Sequence, residues 1–163
     1  MVFPANHKYR RRTEGTSLTG GKGMGLVYAD IELVSIEDLV LTRHGMLPET
    51  EVRRARTKAL VDTGALDLVI NEEVQHQLNL PVLHQRTVSL ADETVREVDM
   101  VGPVEVRFET LATTVRALVL PDTEEVLLGA IPLEGLDVII DPLRERLLVN
   151  PPETTNAKVR RVA

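Results

Sequence analysis

One short stretch carries residue types that could do chemistry. Ala59, Leu60 and Val61 run straight into Asp62, Thr63, Gly64 and Ala65. The apolar run reads as a buried strand. Asp-Thr-Gly reads as the loop that ends it, because glycine tolerates backbone angles that other residues avoid. A carboxylate at the mouth of a hydrophobic strand sits where water is scarce and its proton affinity can be tuned. Such an acid is suited to general acid or base work. Alone, the three residues read first as an ordinary strand-to-turn corner, since short motifs recur by accident. Their weight comes from a second apolar run, Val126, Leu127 and Leu128, closed by Gly129. Ala130 to Leu136 follow as a short helix with proline in its first turn.

Together and in this order, the two motifs resemble the retropepsin-like aspartic proteases. That family has apolar-apolar-Asp-Thr/Ser-Gly-Ala/Ser, then a flap hairpin, then an apolar-apolar-Gly segment before a short helix. The first motif matches at Leu60 to Ala65 and the second at Leu127 to Gly129. The resemblance covers roughly residues 27–149. It implies an all-β fold with one or two short helices, a retropepsin-like closed β-barrel with one lobe per chain, in a homodimer. It implies an aspartic endopeptidase acting on a peptide or protein substrate, with no cofactor. Two carboxylates hold one water in that chemistry: one takes its proton, and the other, protonated, donates to the carbonyl oxygen or leaving amine. Two acids so close cannot both ionise easily, so their proton affinities split.

This chain has one Asp-Thr-Gly, because Asp122-Thr123 continues into Glu124 and Asp141 into Pro142. The resemblance therefore implies a symmetric homodimer in which Asp62 of each copy meets on the axis. It makes Thr63 a brace across that axis, Gly64 a point of close approach, and Ala65 a residue that leaves room beside the dyad. Leu127, Leu128 and Gly129 become supports beneath the loop. Leu90, Ala91, Asp92, Glu93 and Thr94 take the place of the flap and its substrate contacts, with Asp92 and Glu93 where retroviral members have glycines. Retroviral members interleave terminal strands. Here the last strand runs into Pro151-Pro152, and proline cannot donate to a ladder, so the interface is expected to be built differently.

Composition sets the outer bounds. A length of 163 residues suits one domain with flanking tails. Hydrophobic residues make up 43% and aromatics only 2%, so the core is aliphatic. Leucine and valine, punctuated by nine prolines and ten glycines, favour a β-rich fold. The absence of cysteine excludes a disulfide scaffold and thiolate chemistry, and fits a reducing compartment. No apolar run is long enough for a bilayer, and the basic N-terminal stretch lacks a signal core. The expectation is a soluble, cytoplasmic chain with no membrane partner. Net charge is −6, with basic residues gathered at the ends, at Lys8, Arg10, Arg11, Arg12 and Lys22, then Lys158, Arg160 and Arg161. The middle is more acidic than the total, which argues against nucleic acid as a partner.

Along the chain, residues 1–25 read as a flexible basic and glycine-rich leader, 26–150 as the domain, and 151–163 as a tail. Gly20 to Gly25 lack the Ser or Thr of a phosphate loop, and Met24 is a candidate native start. Leu26 to Val34 reads as a first strand and Ile36 to Thr42 as a second apolar segment. Leu66 to Ile70 follows the Asp-Thr-Gly loop as a strand. Asn71 caps a helix that stops near Asn79, before Pro81. Arg86 to Leu90 and Val95 to Val101 form a hairpin about a polar tip. Gly102-Pro103 is expected to break the chain before the alternating strand Val104 to Phe108. Thr113 to Leu120, Val138 to Ile140 and Leu147 to Val149 are further strands. Glu72, His76 and His84 belong to no fuller ligand set, so no metal site is assigned. The competing functional reading is a β-rich dimerisation or peptide-binding module without useful catalysis. The intact Asp62-Thr63-Gly64-Ala65 favours the enzyme, since a binding module has no need of the acid.

Overall fold

The computed structural model of the chain describes residues 8–9 and 25–152. The remainder of the leader, including Met24, and the tail from residue 153 lie outside the described residues. Among the described residues, ten strands and three short α-helices follow one another. They are β1 (Lys8–Tyr9), β2 (Tyr28–Ser35), α1 (Ile36–Arg43), β3 (Arg54–Val61), β4 (Leu68–Ile70), α2 (Glu72–Leu78), β5 (Val82–Leu90), β6 (Val95–Phe108), β7 (Leu111–Val119), β8 (Val126–Leu128), α3 (Ala130–Leu136), β9 (Val138–Asp141) and β10 (Arg146–Val149). The sheet runs β1-β5-β6-β2-β3-β8-β4-β7, and β6 also pairs with β7. Six strands, β6-β2-β3-β8-β4-β7, thus close into a barrel, with β5 hanging outside it as half of a hairpin. This is the closed barrel expected from the sequence.

Side-chain periodicity builds the barrel. On β2, Ala29, Ile31 and Leu33 are buried while Asp30 is exposed and Glu32 half-buried. On the far half of β6, Val104, Val106 and Phe108 point in, with Glu105 and Arg107 between them. The short strands β4 and β8 are buried along their whole length, as unbroken apolar runs require. The main core gathers Leu33, Leu68, Ile70, Val104, Val106 and Leu128. A second cluster joins the hairpin residues Val88, Leu90, Val98 and Met100 to Leu60, Ala65, Val69, Leu118 and Leu127. Each fully buried Val, Leu, Ile or Met side chain among them contributes about 1.5–3 kcal/mol.

Three sequence expectations shift. The apolar segment from Ile36 is a helix, α1, started by Ser35, whose hydroxyl accepts the Asp38 N–H at 3.3 Å. Gly102-Pro103 does not end a strand: β6 passes through it, with a register shift between Val101 and Val104. Gly102 takes φ 138°, a backbone that only glycine adopts freely, and the strand thereby turns from the hairpin into the barrel. Strand β4 begins at Leu68, so Leu66 and Asp67 belong to the loop. Within the expected leader, Lys8–Tyr9 pair in parallel with Ser89 and Leu90 of β5. The α2 helix agrees closely with its reading. Asn71 Oδ1 accepts the Val74 N–H at 2.9 Å, and Asn79 closes the helix at φ 47°. Among the described residues no helix is long and apolar enough to cross a membrane.

Candidate active site

The two sequence motifs meet in space because β3 and β8 lie side by side. They pair in parallel, Ala59 with Val126, Leu60 with Leu127 and Val61 with Leu128. Asp62 therefore emerges from β3 level with the end of β8, and its N–H donates to the Leu128 carbonyl at 3.0 Å. The loop then folds back on itself. Ala65 N–H donates to the Asp62 carbonyl at 3.1 Å, and Gly64 N–H donates to Asp62 Oδ1 at 2.9 Å. The carboxylate is thus oriented by its own loop and remains half-buried, while Thr63 and Gly64 are exposed. Leu60 is buried and Val61 half-buried behind it.

Gly129 is the floor of this loop. A Cβ there would lie 2.4 Å from the Asp67 carbonyl oxygen and 2.8 Å from that of Ala65, closer than any side chain tolerates. The contact is used: Gly129 N–H donates to the Asp67 carbonyl at 3.2 Å, and Ala130 N–H to the Ala65 carbonyl at 2.9 Å. Ile131 N–H adds a bond to the Leu66 carbonyl at 2.9 Å. The start of α3 thereby staples the whole stretch from Ala65 to Asp67. Leu128 faces the barrel core, whereas Leu127 joins the second cluster with Leu60 and Ala65. At Gly64 a Cβ would sit 3.2 Å from Asp62 Oδ1, a tight contact that a small shift of the carboxylate would relieve. Its backbone is not left-handed, so the turn does not demand the unusual angle for which the sequence reading invoked glycine.

The hairpin of β5 and β6 places Leu90 to Thr94 at its tip. Leu90 is buried with Leu60, Ala65 and Leu127, while Ala91, Asp92, Glu93 and Thr94 are exposed. The tip is internally tied. Asp92 Oδ1 accepts the Thr94 N–H at 3.0 Å and the Thr94 hydroxyl at 2.5 Å, and Leu90 N–H donates to the Thr94 carbonyl at 2.8 Å. Glu93 sits at φ 66°, in the left-handed region where glycine is preferred.

Two residues of this region have no counterpart in the sequence reading. Asp67 is buried, and its Oδ2 lies 2.9 Å from Arg86 Nη1 on β5. A lone acid inside the apolar run from Ala65 to Ile70 was the available signal, because a buried carboxylate requires a cation. Glu72 and His76 sit exposed on α2, and His84 on β5 contacts the Gln85 carbonyl and Arg116. Among the described residues no three His, Cys, Asp or Glu side chains gather as metal ligands do. An open polar groove elsewhere, bordered by Asp30, Glu32, Arg56, Lys58 and Arg107, mixes both charge signs and includes no part of the Asp62 loop.

A protruding loop with one oriented carboxylate, floored by a glycine and faced by a hairpin, is an arrangement that can hold and polarise a water. The family model described as gag-polyprotein putative aspartyl protease matches residues 49–134, just over half of the chain. That span runs from before β3 into α3 and contains both motifs and the hairpin. No curated protein matches the chain. On the family match and the barrel together, the chain belongs to the retropepsin-like aspartyl proteases.

Proposed function

We propose that this chain is an aspartic endopeptidase whose site is completed by a second copy. Asp62 and its symmetry mate hold one water between them on a two-fold axis. One carboxylate takes the water's proton as it attacks the peptide carbonyl, and the protonated partner donates to the carbonyl oxygen and then to the leaving amine. Thr63 braces the partner loop, Ala65 leaves room beside the dyad, and the hairpin closes over the peptide as a flap. The observation that carries this reading is the position of Asp62. It is fixed by Gly64 N–H and the Leu128 carbonyl, and lies on a loop whose next two residues are exposed. The other acid of the loop, Asp67, is committed to Arg86.

Surface chemistry favours a second copy. Leu26 is 36% exposed and adjoins Val27, whose carbonyl accepts the Val61 N–H beside Asp62. Ile131, 41% exposed, is hydrogen-bonded to Leu66 on the loop's other side. Apolar side chains flanking an incomplete site are what an obligate interface covers. A shared-proton dyad works when one carboxyl is ionised and the other is not, so the rate profile should be bell-shaped with an acidic optimum. The test is cleavage of a peptide library by the parent and by Asp62→Asn, with peptide binding measured on the same samples. Cleavage by the parent alone supports the endopeptidase. Binding by both with cleavage by neither would make the chain a peptide-binding module.

A further inference from the structure

Asp67 and Arg86 lie outside the Asp-Thr-Gly machinery, and their burial makes the pairing informative. Their side chains are 5% and 19% exposed. A carboxylate taken this far out of water stays charged only beside a cation, and the guanidinium–carboxylate contact is directional. Asp67 cannot drift, because its carbonyl is bonded to Gly129 N–H and β4 starts at the next residue. Arg86 belongs to the hairpin. Along β5 the inward face reads Arg86, Val88, Leu90, alternating with Gln85, Thr87 and Ser89. Val88 and Leu90 join the apolar cluster with Leu60, Ala65 and Leu127. Among the described residues, the hairpin is held against the loop by apolar packing near its tip and by the Asp67–Arg86 ion pair nearer its root, while Arg96 on β6 pairs with Asp122 beyond the end of β7. Apolar packing is non-directional and can be exchanged for contact with a peptide. The ion pair fixes one position of the hairpin along the loop.

We infer that the Asp67–Arg86 pair is a latch that sets where the hairpin closes over the Asp62 loop. Both are positioning residues, and their catalytic consequence rests on the endopeptidase reading above. When peptide enters, Val88 and Leu90 part from the loop while the latch stays closed and acts as the hinge. Without it the hairpin closes in more than one place, and bound peptide is no longer held in line with Asp62.

The test uses the full chain as Arg86→Lys, Arg86→Met, Asp67→Asn and the double variant Asp67→Asn/Arg86→Met, which removes both charges of the pair together and so guards against misfolding. Amide hydrogen exchange needs no activity. In Arg86→Met and in the double variant, hairpin amides from 88 to 98 should exchange about tenfold faster or more, with β8 and the far half of β6 unchanged. In the cleavage assay, Arg86→Met should lose roughly tenfold to a hundredfold in kcat/KM. A rise in KM should accompany the fall in kcat, because the hairpin grips peptide. Arg86→Lys should recover most of the loss, and the double variant should be no worse than the worse single one, since all break the same contact. Parent-like hairpin exchange in the folded double variant would overturn the latch. So would a fall in kcat at constant KM, the signature of a smaller folded fraction. If the parent cleaves no peptide, the endopeptidase reading fails while hydrogen exchange still decides the latch.

Discussion

Asp62 accepts a hydrogen bond from Gly64 N–H at 2.9 Å, and this bond separates its structural role from its chemical one. Asparagine keeps an oxygen for that N–H but cannot exchange a proton. In Asp62→Asn, peptide hydrolysis should fall by roughly a thousandfold or more, with the melting temperature little changed. Unaltered cleavage would rule Asp62 out as the acid. Gly129 is a steric demand. Gly129→Ala drives a methyl group into the Asp67 carbonyl, 2.4 Å away, and the loop or α3 must move. Urea titration should show a loss of about 3 kcal/mol, as overpacking of a closed site does. A loss below about half a kcal/mol would mean that the loop yields freely. At this scale Asp62, Gly64 and Gly129 were legible because their types and order are a local signal. Asp67 and Arg86 were not, because nothing in their spacing of nineteen positions says that β5 returns to the loop.

The elements were legible where a cap or an alternation marked them. Asn71 and Asn79 bound α2, and Val104, Val106 and Phe108 read as a strand and are one. Helix α1 was hidden because its Val40 and Leu41 are 40% and 38% exposed, so its apolar residues do not trace one buried stripe. The continuity of β6 was hidden because Gly102-Pro103 usually ends a strand, and here a register shift absorbs it. The hairpin carries its own prediction. Asp92→Ala removes both bonds to Thr94 and loosens the tip, whereas Glu93→Gly relieves a left-handed backbone costing about 1 kcal/mol. Turnover of one peptide should change in Asp92→Ala, with thermal stability lowered only slightly since the tip is exposed. Glu93→Gly should stabilise slightly. Identical kinetics across several peptides in both variants would make this a plain surface hairpin.

At the scale of the molecule, one charge network spans three barrel strands. Glu32 on β2 meets Arg54 and Arg56 on β3, each at 3.1 Å, and Arg107 on β6 at 3.5 Å. Burial pushes the Glu32 carboxyl up. The hydrogen bonds and charges of Arg56 and Arg54 together outweigh it and hold the group below its ordinary value of 4.5. A depressed folded value means stability that is complete above the unfolded value and lost as pH falls through the folded one. Glu32→Gln should therefore be less stable than the parent at neutral pH, by about 1 kcal/mol, and the gap should close in acid. A gap that widens in acid would contradict the network.

Barrel closure was legible only through the resemblance that the two motifs carry, since strand count and alternation alone give no more than a β-rich fold, and one acid per chain says nothing of where a second copy docks. Chain mixing tests that central claim most directly. Asp62→Asn chains are titrated into parent chains at constant total concentration, with time for exchange, and cleavage of one peptide is followed. If two Asp62 residues form one site, an equal mixture retains only about a quarter of the activity of the same concentration of parent, because mixed dimers lack the dyad. If each chain carries a complete site, the equal mixture retains about half, and the shared-dyad account is wrong.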